Sequence, residues 1–157
     1  MRNIEDAALT LLRALISAQE RGETEAQNVV ANRRRDAGCT VEEHTYDPAD
    51  VRVKGEFAVD TARATERRKS VVGTLPGDPS MPSLLMFAHP DGEPMGDTSQ
   101  WRHDPFAGEV ENGRIYGWGV ADDLAGCAAA VLAIENAAAS NAPMGRADFA
   151  SRQSQRY

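Results

Sequence analysis

The chain lacks most of the features that mark specialised protein classes. Its 157 residues include only two cysteines, Cys39 and Cys127, and neither sits in a Cys-x-x-Cys or Cys/His spacing. That excludes a disulfide scaffold, a zinc knuckle and a dithiol redox motif, and it predicts two small buried thiols in a reducing compartment. There is no basic excess. Lys plus Arg number 17 against 24 Asp plus Glu, for a net charge of −7, which speaks against nucleic acid and anionic membranes as partners. There is no long apolar run either. The most apolar stretch, Leu124 to Ala139, is interrupted by Glu135 and Asn136 and is too short and too polar to span a bilayer. The start of the chain carries Glu5, Asp6 and Arg13 among its apolar residues, so no signal-peptide pattern is seen, and a cytoplasmic protein is expected. No internal repeat or long linker stands out.

What remains is ordinary for a globular domain: 41% apolar and 26% charged residues, enough for one domain with a real core. Ile4, Ala8, Leu11, Leu12, Leu15 and Ile16 fall on one stripe at helical spacing, with Glu5 and Asp6 in the favoured first turn. A second helix is predicted from Thr24, where Thr24-Glu25-Ala26-Gln27 reads as a capping box, to a stop at Gly38. Strands are predicted at Cys39–Tyr46, Ser70–Leu75 and Ser83–Ala88. The last of these is a continuous apolar run, as expected of a strand buried on both faces. Within Glu109 to Gly117, Asn112-Gly113 signals a type I′ hairpin. A third helix is predicted over Asp123–Ala139, and Arg146 to Ala150 opens a further strand. Residues 1–150 form the expected domain, and 151–157 an irregular polar tail with no evident place in a core. Helices alternating with strands predict an α/β sandwich with a mixed sheet.

Two places could carry chemistry. His89-Pro90-Asp91 directly follows the apolar run of Ser83–Ala88, at the strand end where α/β sheets present ligand groups. His89 offers an imidazole nitrogen to a metal, and Asp91 could fix its tautomer from the other ring nitrogen. Gly117-Trp118-Gly119-Val120-Ala121-Asp122-Asp123 leads into the alanine-rich helix and could present a carboxylate to divalent ions. Each has a plainer reading alone: a polar loop contact for the first, a helix cap for the second. A phosphate-binding loop at Gly117–Gly119 is the weakest option, because the lysine it needs is missing and Asp122 and Asp123 would repel phosphate.

Taken together with the stretch between them, these segments resemble one family. His89-Pro90-Asp91, then Trp101-Arg102-His103-Asp104-Pro105-Phe106-Ala107-Gly108, then Gly113-Arg114-Ile115-Tyr116-Gly117-Trp118-Gly119-Val120-Ala121-Asp122-Asp123 are similar in order and spacing to the co-catalytic zinc peptidases. That family includes aminoacylase, acetylornithine deacetylase, succinyl-diaminopimelate desuccinylase and bacterial carboxypeptidases. The resemblance covers nearly all of residues 4–140. It implies the N-terminal part of a catalytic domain built as a three-layer sandwich on a mixed, mainly parallel sheet. It also implies metal-assisted hydrolysis of amide bonds in N-acyl amino acids or short peptides, with two zinc ions, or cobalt in their place. By the resemblance His89 is a terminal metal ligand, Asp122 the carboxylate that bridges both ions, and Asp91 the catalytic residue that orients His89. The Asp122–Asp123 peptide bond is expected to be cis.

The sequence departs from that family in its last part. The general-base glutamate belongs to an acidic pair on the strand after the alanine-rich helix, and no Glu-Glu occurs there. Glu135 and Asp148 are the only acidic residues after Asp123. Glu135 is expected to be solvated, and His44 and His103 to be surface residues outside the ligand set. With too few ligands for two ions, the chain alone is expected to be inactive, to bind metal weakly, and to expose apolar surface that favours oligomers. A truncated gene, a frameshift or a shortened chain would account for the departure. The alternative expectation is a non-catalytic remnant with a folding or binding role only.

Overall fold

The computed structural model describes residues 3–47, 50, 67–92, 95–140 and 142–152. Helix α1 spans Ile4–Gln19, and the Asn3 side chain accepts a hydrogen bond from the Glu5 N–H at its start. Leu11, Leu15 and Ile16 are buried as the stripe predicts, but Ile4, in the first turn, is exposed. Helix α2 spans Glu23–Asp36 and begins one residue before the predicted capping box. Its N-cap is Gly22 at φ 98, with no side-chain cap bond, so the backbone freedom of glycine replaces the Thr24 hydroxyl. Gly38, at φ 84, closes the helix, with Cys39 N donating to Arg34 O.

Strands β1 (Thr40–Tyr46), β2 (Arg68–Leu75), β3 (Leu84–Ala88) and β6 (Ala147–Arg152) form one sheet in the order β1-β2-β6-β3. Strands β4 (Glu109–Glu111) and β5 (Arg114–Tyr116) form a separate hairpin. Its turn residues Asn112 and Gly113 both have positive φ, 51 and 73, as the type I′ turn demands. Helix α3 spans Ala125–Ala139 and follows a single π-type turn, Val120–Leu124.

The sheet is mixed, as expected, but it is not mainly parallel among the described strands. β1 pairs antiparallel with β2, β2 antiparallel with β6, and only β3 with β6 is parallel. A parallel pair needs a long crossover, and the passage from β3 through α3 to β6 supplies one.

The helices lie on one side. Helix α2 packs on β1 and β2, α3 packs on β3 and β6, and α1 lies against both helices. The sheet presents Val71, Leu75, Ala147, Phe149 and Ser151 to them, all buried. The described residues therefore make two layers rather than three. On the other side Leu85 is 66% and Phe87 82% exposed. The apolar run of β3 was expected to be covered on both faces. Among the described strands β3 lies at the edge, with one face covered.

Gln27, Ser151 and Arg34 bring polar groups into the core. Gln27 donates to the Lys69 and Ser151 carbonyls at 3.3 and 3.4 Å and accepts from Ser151 Oγ at 2.6 Å. Ser151 is fully buried, so the stretch taken for an irregular tail begins as strand and belongs to the core. The remainder of that tail, 153–157, lies outside the described residues. Arg34 lies across Phe149, its guanidinium carbon 3.8 Å from the ring centroid, and donates to Val71 O at 2.9 Å.

Candidate metal centre

The buried end of β3 delivers His89. Ala88 is paired with Ser151 of β6, so the loop that starts at His89 leaves the sheet at the carboxyl ends of two parallel strands, where side chains can converge above the core. The Gly117–Gly119 segment approaches the same point. Gly92 lies so close to Trp118 that a Cβ would fall 2.5 Å from the indole Nε1, so a side chain there would crowd the meeting of the two loops. Trp118 is held in turn by Trp101, with ring centroids 5.7 Å apart, and by its N–H donating to Pro105 O at 2.7 Å.

This meeting places the predicted residues together. His89 Nε2 is 3.0 Å from Asp122 Oδ1, and His89 Nδ1 is 3.3 Å from Asp91 Oδ1. Nδ1 also lies 3.4 Å from the Asp91 carbonyl oxygen. Asp91 is almost buried, with its side chain 9% exposed, whereas the Asp122 side chain is 55% exposed. The imidazole is thus backed by a shielded carboxylate and faces an open one. The Asp122–Asp123 peptide bond is cis, as the resemblance implied. Asp123 turns inward and accepts from Gly126 N at 3.2 Å, capping α3.

The arrangement suits a divalent cation. Nδ1 facing Asp91 leaves Nε2 to bind an ion. Two donors bonded to one ion at about 2.0–2.1 Å lie about 3 Å or slightly more apart, which the 3.0 Å separation of Nε2 and Oδ1 matches. An imidazole with carboxylates is a borderline donor set that takes zinc or cobalt. Among the described residues, no group of three or more His, Cys, Asp or Glu is arranged to hold a metal. Cys127 lies buried beneath the site. Burial, with the Asp123 carboxylate next in weight, pushes its thiol up to about 12, which keeps it neutral and a poor competitor for metal.

Other expectations need correction. Glu135 is not a solvated position: Arg33 grips both its oxygens at 2.5 and 2.6 Å. His103 is not a surface residue. Its side chain is 13% exposed, stacks on Tyr116 at 4.1 Å, and sits 3.0 Å from Glu109 and 3.6 Å from Glu111. The His103 ring nitrogen raises no new ligand set, but it draws Glu109 below the usual carboxylate range by hydrogen bonding. His44 is exposed, as expected. An open groove of about 730 Å3, lined by Trp101, Arg102, His103, Tyr116 and Val120 among others, adjoins the segment that carries Asp122. A larger one, about 1100 Å3, lies at the opposite ends of the helices, between Ile4, Arg33 and Glu135, and holds no histidine.

The sequence of residues 85–150 matches the family described as "Peptidase family M20/M25/M40". That stretch of the chain is similar to the family over 85–150. The chain is 36% identical over 109 residues to a succinyl-diaminopimelate desuccinylase of Xanthobacter autotrophicus, covering 69% of this chain and 24% of the relative. A second such desuccinylase, from Rhodopseudomonas palustris, is 41% identical over 70 residues, covering 43% of this chain and 18% of the relative. The fold is similar to that of an M20 family metallo-carboxypeptidase from Sulfolobus solfataricus, with TM-score 0.69 and 21% identity over 96% of this chain and 30% of that one. The chain therefore spans about a quarter or less of the length of the curated relatives it matches.

Proposed function

We propose that this chain is the N-terminal part, residues 1–150, of a zinc-dependent amidohydrolase, and that it carries half of a two-ion site. The observation that supports the reading most is the convergence of His89 Nε2 on Asp122 Oδ1 at 3.0 Å, with Asp91 behind the imidazole. His89 would bind one ion and Asp122 would bridge two. Divalent ions in such a site lower the pKa of a bound water and polarise the scissile carbonyl. This chain's own part is to hold them: Asp91 fixes the ring of His89, and the exposed Asp122 leaves the opposite side open to substrate. The substrate class is an N-acyl amino acid or short peptide, the kind of amide named for the desuccinylase and carboxypeptidase relatives. No described helix is long and apolar enough to cross a membrane, and the two free, buried thiols suit a cytoplasmic setting.

One observation favours the second reading, a non-catalytic remnant. The carboxyl end of β6 lies beside His89, where a strand-borne glutamate base would enter. The sequence from Arg152 to Tyr157 contains no acidic residue. Titration with Co2+ tests the ligand set directly: the chain should bind in the micromolar range or weaker, and His89→Ala should abolish that binding. Equal binding by the variant would remove His89 from the site. Replacing the histidine equivalent to His89 in the Xanthobacter relative should abolish hydrolysis of an N-succinyl amino acid. An assay of this chain with Zn2+ should give no turnover above that of the ion alone.

A further inference from the structure

One ridge of α1 meets the loops around the proposed centre. Arg13, Ile16 and Gln19 follow at three-residue intervals and so lie along one line of helix surface. Arg13 Nε donates to Gly108 O at 2.9 Å, at the end of the Trp101–Phe106 loop. Ile16 lies directly under Gly117, where a Cβ would fall 2.8 Å from its Cγ2. Gln19 Nε2 donates to Pro90 O, the carbonyl between His89 and Asp91. The helix behind this ridge is anchored by Leu11 and Leu15, both buried in the core. A single rigid element thus grips the loop that carries His89 and the loop that leads to Asp122.

We infer that Gln19 is a positioning residue for the metal centre. By holding the Pro90 carbonyl it sets the plane of the His89–Asp91 turn, and with it the line along which Nε2 meets Asp122. The inference rests on reading His89 and Asp122 as ligands. The chemistry explains why a glutamine stands there. Pro90 has no N–H, so this turn has one backbone donor fewer to hold itself, and its carbonyl takes a donor from outside. Gln19 is the last residue of the line through Arg13 and Ile16, and its amide reaches across 71 positions of sequence.

The test compares Co2+ binding and visible absorption of the wild type, His89→Ala, Gln19→Met and Gln19→Lys. Gln19→Met keeps the length and loses the donor. It should weaken Co2+ binding about tenfold, the lower end for a residue behind the ligands, and change the absorption band. Gln19→Lys restores a donor and should recover most of the affinity. Unchanged binding and spectrum in Gln19→Met would overturn the inference while leaving the ligand assignment standing. Unchanged binding in His89→Ala would overturn the assignment and the inference with it. A measurement on the wild type needs no variant: the Gln19 side-chain amide protons should exchange with solvent more slowly than those of a free glutamine. Exchange at the free rate would show that the Pro90 bond does not persist.

Discussion

The two faces of the four-stranded sheet are made by the same strands and have opposite fates. Towards the helices, alternate residues such as Val71 and Phe149 are wholly buried. On the other face, a row runs from Val72 through Ala150 to Phe87, in register across β2, β6 and β3, and Phe87 at its end is open to solvent. The period of two along each strand decides which side chains share a face. It does not decide whether anything covers that face. Stability should therefore be concentrated on one side of the sheet and association on the other.

Substitutions on each side can break or sharpen this contrast. Phe149→Ala, on the covered face, should cost about 3–5 kcal/mol, measured by urea unfolding. A loss below about 1 kcal/mol would mean the core is not organised around this ring. Arg34 lies on the same face, and burial lowers its pKa to about 10. Its Nε and Nη2 have no hydrogen-bond partner. Holding that cation in the core opposes folding at neutral pH, because the charged form is disfavoured by the missing water. Arg34→Met should then raise stability by about 1–3 kcal/mol, and a loss instead would show that the contact with Phe149 and the bond to Val71 outweigh desolvation.

On the open face, Phe87→Lys should change stability by no more than about 0.5 kcal/mol. Its effect should be on association: light scattering at increasing concentration should show oligomers for the wild type and fewer for the variant. A monomeric wild type would break the link between exposure and association. The smallest effect belongs to Asp148, also on the open face. Desolvation pushes its carboxyl up, but hydrogen bonds from Arg146 and Thr74 outweigh it and hold the group below its ordinary value. A carboxylate shifted down stabilises above its unfolded value near pH 4 and loses that contribution as the pH falls through the lower folded value. Asp148→Asn should therefore be slightly less stable at pH 7 and converge on the wild type in acid.

Much of the local structure was legible in the chain because its causes are local. The stripe of α1, the stop at Gly38 and the Asn112-Gly113 turn each depend on a few neighbouring residues. The capping box at Thr24 failed because Gly22 had already turned the chain. Glu135 and His103 were misjudged because Arg33, Glu109 and Tyr116 reach them only after folding. His89 and Asp122 were singled out together by a pattern of several linked motifs, and the fold brings them within 3.0 Å, whereas neither motif pointed to a metal alone.

What the sequence determined by itself was the set of elements and the chemical character of two loops, since periodicity, turn residues and donor types act over short spans. Only the tertiary structure decided that β6 enters beside β3, that one sheet face stays open, and that Gln19 of the first helix holds the turn at Pro90. Those outcomes depend on contacts between residues far apart in the chain, whose geometry exists only once the helices have closed over the sheet.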